Sequence, residues 1–271
     1  MSKPSKTIPT TFTWSGTYHT WDEACIAANG DSGRVFSSAR WMQRITQQLN
    51  NYRDEIQQHG IALPPRPSNL PLVCAMTSSN SIIDFGGSSG WCYDYLKNTL
   101  RNHAVSSYVV VENEQIVKHI QDTGLHANPV SYKIDADSLE QCDVLYCNSV
   151  LQYFESNAQL VDLIEKVRPA YILLDDLLAK GAKDYFSTQV YYDTYLPHRF
   201  LGLQQLSSVL SELGYAQLLS APFTSPILGV MKLLPMENLP AEYRLQYSLS
   251  MLWKRGSKLS NQATSLSTRL F

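Results

Sequence analysis

The sequence is poor in charged residues. Asp, Glu, Lys and Arg make up 17% of its 271 residues, against roughly 25% in an average soluble protein. The 22 basic and 24 acidic residues give a net charge of −2, so there is no basic surplus that could neutralise a phosphate backbone. We therefore expect no nucleic-acid partner. Polarity comes instead from Ser, Gln, Asn, Thr and 16 Tyr residues.

Signals for disulfides, metal sites and membranes are also missing. The five cysteines form no CxxC pair and the six histidines no HExxH motif, so neither a disulfide framework nor a metal site is predicted. No apolar stretch approaches the roughly 18 residues that span a bilayer. Residues 1–13 lack the apolar segment of a secretory signal. These features predict a cytoplasmic protein without a membrane partner.

The middle of the chain alternates strand-like and helix-like segments. Apolar or β-branched runs typical of strands occupy 81–85, 106–112, 130–135, 142–149 and 170–176. Segments with helical patterns occupy 91–100, 113–124, 156–167 and 202–213. This alternation predicts βαβ units, a parallel sheet and right-handed crossovers.

The two ends of the chain differ from this pattern. Residues 33–59 carry apolar side chains at helical spacing, as one long helix or two shorter ones. Strand-like segments at 215–223 and 243–255 favour an antiparallel pair, and 227–234 fits a strand or a short helix. We expect a helical extension over 1–71, an α/β domain over 72–256 and a tail over 257–271.

The segment SIIDFGGSSGWCYDYL contains the most specific motif. A hydrophobic strand runs into Asp84, and Gly86, Gly87 and Gly90 precede a helix. Glycine permits a tight turn and close approach of the backbone to a ligand, and the helix N-terminus presents free N–H groups to an anionic group. Glu112 ends the next strand, where a carboxylate accepts hydrogen bonds from ribose hydroxyls. The pattern predicts a site for a ribose-containing ligand.

Other interpretations of this turn remain open. With Gly86 as the first glycine of a GxGxxG motif, Ser88 and Trp91 stand where the other two should be, so a nicotinamide site fits poorly. No GK[ST] follows, as a phosphate-binding loop requires. A turn that serves only the fold is the remaining alternative.

Residues 84–90 resemble motif I of class I S-adenosylmethionine-dependent methyltransferases. DFGGSSG occupies the D-x-G-x-G-x-G positions, with Ser88 at the central glycine. Glu112 and Asp135, or less well Asp137, match the family's acidic residues after the second and third strands. The resemblance implies a doubly wound, mostly parallel seven-stranded sheet of Rossmann-like type with a C-terminal antiparallel hairpin. It also implies S-adenosylmethionine as cofactor.

A narrower resemblance covers most of the chain. WSGTYHTWDEA, NSVLQYFES (148–156), STQVYYDTYLPHRF (187–200) and LPAEYRLQYSLSMLWKR are similar to one group of bacterial methyltransferases whose genes often lie with surface-polysaccharide genes. This implies O-methylation of a small molecule or glycan precursor, in a chain compatible with homo-oligomers. The alternative is a non-catalytic cofactor-binding or scaffold protein that keeps the fold. The resemblance also implies that 187–200 forms a lid over the acceptor. Because this segment is rich in Tyr and amides rather than Lys or Arg, we expect an uncharged, hydroxyl-rich acceptor.

Candidate site residues follow from the position of ligands at the carboxyl ends of parallel strands. The resemblance implies the cofactor-binding residues Asp84, Gly86, Gly87, Ser88, Gly90, Glu112, Asp135, Asn148 and Ser149. Candidates for acceptor binding are Gln152, Tyr153 and Gln189.

A hydroxyl acceptor also needs a partner for its proton. His198 is the candidate base because its ordinary pKa lies near neutrality, with Asp176 or Tyr192 as substitutes. No metal is expected in this mechanism. The alternatives are a structural role for His198 and a solvated turn residue at Asp135.

Overall fold

A computed structural model describes residues 13–30, 33–125, 129–192, 194–223 and 233–256. The strands are β1 Trp14–Tyr18, β2 Ser81–Phe85, β3 Ser107–Val111, β4 Val130–Lys133, β5 Val144–Asn148, β6 Tyr171–Leu177, β7 Tyr185–Tyr191, β8 Thr194–Phe200, β9 Tyr215–Phe223 and β10 Ser248–Arg255. The helices are α1 Trp21–Ala28, α2 Gly33–Phe36, α3 Ala39–His59, α4 Leu70–Thr77, α5 Trp91–Thr99, α6 Glu114–Thr123, α7 Ala158–Val167 and α8 Leu203–Glu212. Short 3₁₀ turns occupy Leu151–Tyr153 and Ala241–Tyr243.

The central sheet has seven strands in the spatial order β4-β3-β2-β5-β6-β10-β9. The first five run parallel, whereas β10 is antiparallel to both β6 and β9. The predicted α/β architecture with a mostly parallel seven-stranded sheet is therefore confirmed. The order reverses between β2 and β5, and the crevice outside such a switch point is where ligands bind in open α/β sheets.

Helices cover both faces of this sheet. On one face Leu70 of α4 and Leu96 of α5 pack against the central strands. On the other face Leu163 of α7 and Leu206 of α8 do the same. Burial on both sides explains why the central strands read as apolar runs rather than as alternating patterns.

A second, three-stranded antiparallel sheet has the order β1-β7-β8. Trp14 of β1 pairs with Gln189 of β7, so the N-terminal residues join the hairpin in one layer. The segment 187–200, expected to form a lid, lies mainly within this sheet. Its sequence shows no alternation because both faces of β8 are covered from Leu196 to Phe200.

The structure decides between the two alternatives for residues 33–59 and corrects the start of the last strand. The helical segment at 33–59 divides into α2 and α3, because Ser38 caps α3 by accepting a hydrogen bond from the Trp41 N–H (3.2 Å). The last strand begins at Ser248 rather than at residue 243, since Leu245 packs in a separate cluster with Met236. Residues 224–232 and 257–271 lie outside the described part. None of the described helices is long and apolar enough to cross a membrane.

Candidate functional site

A cavity of about 720 Å³ opens at the carboxyl ends of the parallel strands. Its lining comes from the turn after β2, from Glu112 after β3, from Asp135 after β4, and from Asn148 to Val150 after β5. Predicted cofactor residues on the lining are Asp84, Gly86, Gly87, Ser88, Glu112, Asp135, Asn148 and Ser149. Strand topology brings these residues together, since parallel strands end at the same edge of the sheet.

The turn after β2 exposes bare backbone to the cavity. Gly86 has φ of +72°, and a Cβ there would lie 2.4 Å from the Val150 Cγ2 atom. A Cβ at Gly87 would lie 2.4 Å from Cγ of Asp84. Ser88, at the motif's central glycine position, keeps a left-handed φ of +55°. A side chain at either glycine would therefore collide, while serine at position 88 preserves a backbone conformation typical of glycine.

The buried Asp84 carboxylate packs against this turn at Gly87. Asp84 is only 1% exposed, and its carboxylate accepts a hydrogen bond from the Tyr108 hydroxyl (2.7 Å). Burial raises the pKa of Asp84 to about 7, although the Tyr108 hydrogen bond acts in the opposite direction. Removal of the charged carboxylate from water dominates, so the group titrates near neutrality.

Glu112 links the end of β3 to the same turn. Its carboxylate accepts hydrogen bonds from the backbone N–H of Ser88 (3.3 Å) and of Asn113 (2.9 Å). Burial raises the pKa of Glu112, whereas these two hydrogen bonds lower it. The carboxylate is thus fixed at the wall of the cavity.

Apolar groups line the cavity close to these carboxylates. Phe85 and Phe154 stack with ring centroids 5.5 Å apart and an interplanar angle of 17°. Ile134, which follows β4, is 55% exposed. Beside it, the Asp135 carboxylate accepts a hydrogen bond from the Asp137 N–H (2.8 Å). The combination offers flat apolar contacts next to hydrogen-bond acceptors.

The side-chain oxygen of Asn148 is a hydrogen-bond acceptor that no described residue uses. The Asn148 side-chain amide donates to the Tyr146 hydroxyl (2.7 Å) and to the Pro67 carbonyl (3.2 Å). These bonds fix the amide orientation, and the buried Oδ1 atom then has no hydrogen-bond partner among the described residues. Buried polar atoms are normally paired, so Oδ1 is available to a donor on a ligand.

Left-handed backbone conformations recur where the central strands end. Besides Ser88, Ser149 after β5 has φ of +56° and Asp176 near the end of β6 has φ of +52°. Such conformations are costly for residues other than glycine and concentrate at functional sites. Their position at three neighbouring strand ends agrees with the position of the cavity.

The other four predicted binding residues lie on or near the cavity wall. Gly90 does not line the cavity but precedes α5 with φ of +73°. Gln152 is 2% exposed, and its amide donates to the Ser149 hydroxyl (2.9 Å). Gln189 accepts a hydrogen bond from Tyr153 (3.0 Å). Of these four, Tyr153 is the one that lines the cavity.

The three candidate bases are not brought together, and none of them lines the cavity. His198 is fully buried beside the rings of Trp14, Tyr153 and Phe200. Burial lowers its pKa to about 3, and the charge of the adjacent Arg199 contributes. Neither of its ring nitrogens has a hydrogen-bond partner among the described residues.

The other two candidates have polar partners of their own. The Asp176 carboxylate accepts from the Ser248 hydroxyl (2.7 Å). The Tyr192 hydroxyl accepts from the Arg44 guanidinium (3.3 Å), and Arg40 lies 4.1 Å from its ring centroid. Tyr192 nevertheless packs against the cavity-lining Tyr191, with ring centroids 4.9 Å apart.

Several lining residues were missed from the sequence. Phe36 of α2 contacts the rings of Trp41, Tyr153 and Tyr191 at centroid distances of 5.4, 4.9 and 5.8 Å. All four line the cavity, as does Arg66, and of these five residues only Tyr153 was predicted. Helical spacing assigned Phe36 and Trp41 to a core, and spacing cannot show that this core borders a cavity. A lone Arg between two prolines was the available signal for Arg66.

Within the described part of the chain, no group of three or more His, Cys, Asp or Glu residues could hold a metal ion.

Comparisons with known proteins give distant structural likenesses. Neither a protein-family model nor a curated protein matches the chain. An S-adenosylmethionine-dependent methyltransferase from Mesorhizobium loti is 15% identical with a TM-score of 0.45, over 69% of this chain and 97% of that one. Magnesium protoporphyrin IX methyltransferase from Synechocystis PCC 6803, with bound S-adenosylhomocysteine (SAH), is 12% identical with a TM-score of 0.48, over 87% and 100%. The glycopeptide N-methyltransferase MtfA, also with SAH, is 9% identical with a TM-score of 0.46, over 70% and 91%.

Proposed function

We propose that the protein is an S-adenosylmethionine-dependent methyltransferase that methylates a hydroxyl of a small acceptor, such as a sugar or glycan precursor. The observation that carries this proposal is the bare turn at Gly86 and Gly87, supported by Asp84 and joined to Glu112 by the Ser88 N–H. It lies at the switch point of the sheet, and the acceptor would reach it from the cytoplasm.

The cavity fits the proposed cofactor. A Cβ at Gly86 or Gly87 would meet atoms of Val150 or Asp84 2.4 Å away, so the turn requires glycine for its own packing. The backbone of both glycines lines the cavity beside Glu112, where it could contact the cofactor. Glu112 would accept hydrogen bonds from the ribose hydroxyls, and the exposed Ile134 would offer an apolar surface to the adenine ring. The free Oδ1 of Asn148 is a partner for the ammonium group. When bound, the cofactor supplies a methyl group on a positively charged sulfur.

In the proposed reaction the acceptor oxygen forms a C–O bond as the methyl C–S bond breaks. The cofactor would leave as a neutral thioether, and the acceptor hydroxyl proton would pass to water. The chain's contribution is to hold the acceptor in line with that bond, which is the main source of rate for such a displacement. Phe36, Trp41 and Tyr191 border the space where the acceptor would lie.

Tyr153 is placed to orient the acceptor. Its hydroxyl donates to Gln189 (3.0 Å), which leaves its oxygen lone pairs available to an acceptor O–H group. Gln189 would then act through Tyr153 rather than by direct contact. His198, Asp176 and Tyr192 stay predictions as bases, and this reaction does not require them.

A second candidate is a non-catalytic cofactor-binding protein. It is favoured by the fact that none of the three candidate bases lines the cavity. Such a protein would bind SAH but transfer no methyl group.

Labelled methyl transfer tests the proposal. Purified protein and S-adenosylmethionine with a radioactive methyl group are added to an extract of the source cells, and proteins, glycans and small metabolites are separated. We expect label in a glycan or small metabolite that survives mild alkali, as a methyl ether does and a methyl ester does not. Label confined to protein, or SAH binding without any transfer, would contradict the proposal, and the latter would favour the second candidate.

A further inference from the structure

Arg66 places a positive charge in the wall of the cavity. It lies in the proline-rich segment before α4, between Pro65 and Pro67. The Pro67 carbonyl accepts a hydrogen bond from Asn148 (3.2 Å), and the Ser68 hydroxyl accepts one from Tyr146 (2.7 Å). These bonds hold the segment against the end of β5, so the position of Arg66 is fixed relative to the site.

This guanidinium has no partner in the described chain. Arg53 pairs with Asp94 at 2.8 Å, and Arg199 pairs with Asp184 at 3.3 Å. Arg66 is also half-buried, yet it forms no ion pair or hydrogen bond with any residue that the structure describes. A cation partly removed from water is costly unless an anion compensates for it, and the cavity is open to a ligand that could supply one.

Arg66 lies near aromatic residues that border the space proposed for the acceptor. The positive charge of Arg66 lowers the pKa values of Tyr153 and Tyr191, which burial raises. These two phenols lie beside Phe36, in the aromatic cover of the cavity. The lining also carries Asp135 and Asp137, with Lys166 already paired to Asp137 at 2.7 Å.

We infer that the acceptor carries an anionic group, a carboxylate or a phosphate, and that Arg66 binds it. The inference rests on the proposed methyltransferase function and replaces the expectation of an uncharged acceptor. A guanidinium binds two oxygens of such a group at once, and this would orient a hydroxyl elsewhere on the acceptor towards the bare turn. Sugar acids and sugar phosphates have the required chemistry.

The charge of the methylated product tests the inference. Label from the transfer experiment is applied to an anion-exchange column at pH 7, before and after phosphatase treatment. We expect a retained product, which phosphatase releases if the anion is a phosphate and leaves retained if it is a carboxylate. Arg66→Gln should reduce transfer roughly tenfold to 100-fold, Arg66→Lys should restore part of it, and Arg101→Gln, which removes an exposed charge away from the cavity, should have no effect.

Calorimetry separates this role from binding of the cofactor's own carboxylate. Arg66→Gln should bind SAH and 5′-methylthioadenosine, which lacks that carboxylate, as the wild type does. The inference is overturned if the product is unretained, or if Arg66→Gln weakens SAH alone by tenfold or more. Label in a neutral product removes only this inference, whereas wild-type protein that binds no SAH removes the proposed function as well.

Discussion

The turn at 84–90 and the hairpin segment at 187–200 were both predicted to contain functional residues, but they differ in how much of each lines the cavity. The turn contributes every residue from Asp84 to Ser89 to the cavity wall. From the hairpin, Tyr191 alone among the described residues lines the cavity, whereas His198 is fully buried. The predicted functional role therefore has structural support along the turn from Asp84 to Ser89, but in the described part of the hairpin only at Tyr191.

The difference lies in the kind of signal. Glycines at positions 86 and 87 reflect a steric requirement, because a Cβ at either would meet an atom 2.4 Å away. The choice of His198 rested on its ordinary pKa, which a residue has before its surroundings are known. Burial among aromatic rings then lowers the pKa of His198 to about 3. A backbone requirement is visible in sequence, whereas a side chain's environment is not.

The largest effect is expected in the turn. In Gly87→Ala the new methyl group would meet the Asp84 carboxylate, whose nearest oxygen lies 2.5 Å from the Cβ position. We expect the free energy of unfolding to fall by about 3 kcal/mol and SAH affinity to fall by roughly tenfold or more, measured by urea titration and calorimetry. The control is Gly124→Ala, where φ is +65° but no atom lies within 4 Å, so only backbone strain is added. Equal effects of the two substitutions would argue against a special role for the turn.

A second prediction concerns the pH dependence of stability. The pKa of Asp84 is about 7 in the fold and 3.8 ordinarily. Between these values the folded protein holds a proton that the unfolded chain has lost, so stability should fall as pH rises through this window, by up to about 4 kcal/mol. Asp84→Asn should lack this part of the decline, whereas Asp122→Asn, on the exposed side of α6, should keep it. Parallel urea titrations from pH 4 to pH 8 measure the effect, and identical profiles for all three proteins would contradict it.

His198 should show the opposite pH dependence and a smaller effect. Its pKa is about 3 in the fold and 6.5 ordinarily, so the unfolded chain gains a proton first as pH falls below 6.5. At pH 5 this should cost the wild type about 2 kcal/mol of stability. His198→Phe should avoid that loss and keep its SAH affinity, while His59→Gln, at the exposed end of α3, should behave as the wild type. A folded His198→Phe protein that binds SAH but transfers no methyl group would instead support the predicted base.

The sequence predicted the central sheet well because its signals are local. Apolar runs and intervening helices mark strands such as β3 and β6, and parallel direction follows from the crossovers. The small sheet was missed because β1 and β7 pair across more than 150 residues, Ser15 with Thr188 for example. No local pattern encodes that pairing.

The cavity was predicted only in part, again because the sequence shows local signals but not the packing of distant segments. One wall of the cavity consists of the strand ends, whose position the motif predicts. Ser88 in this wall shows that a serine can adopt the backbone conformation expected of glycine. Its cover comes from α2, α3 and the segment around Arg66. Those positions depend on how the N-terminal helices pack on the domain, which helical spacing cannot specify.

The most direct test of the central claim is calorimetric titration with SAH. Glu112 is held by the N–H groups of Ser88 and Asn113 with its carboxylate at the cavity wall. Wild-type protein should bind SAH, and NAD should give no heat. Glu112→Ala should weaken SAH by roughly tenfold, as expected for lost hydrogen bonds to a charged group, while Glu114→Ala in the first turn of α6 should bind it normally. Wild-type protein that fails to bind SAH, or a Glu112→Ala protein with unchanged affinity, would contradict the account.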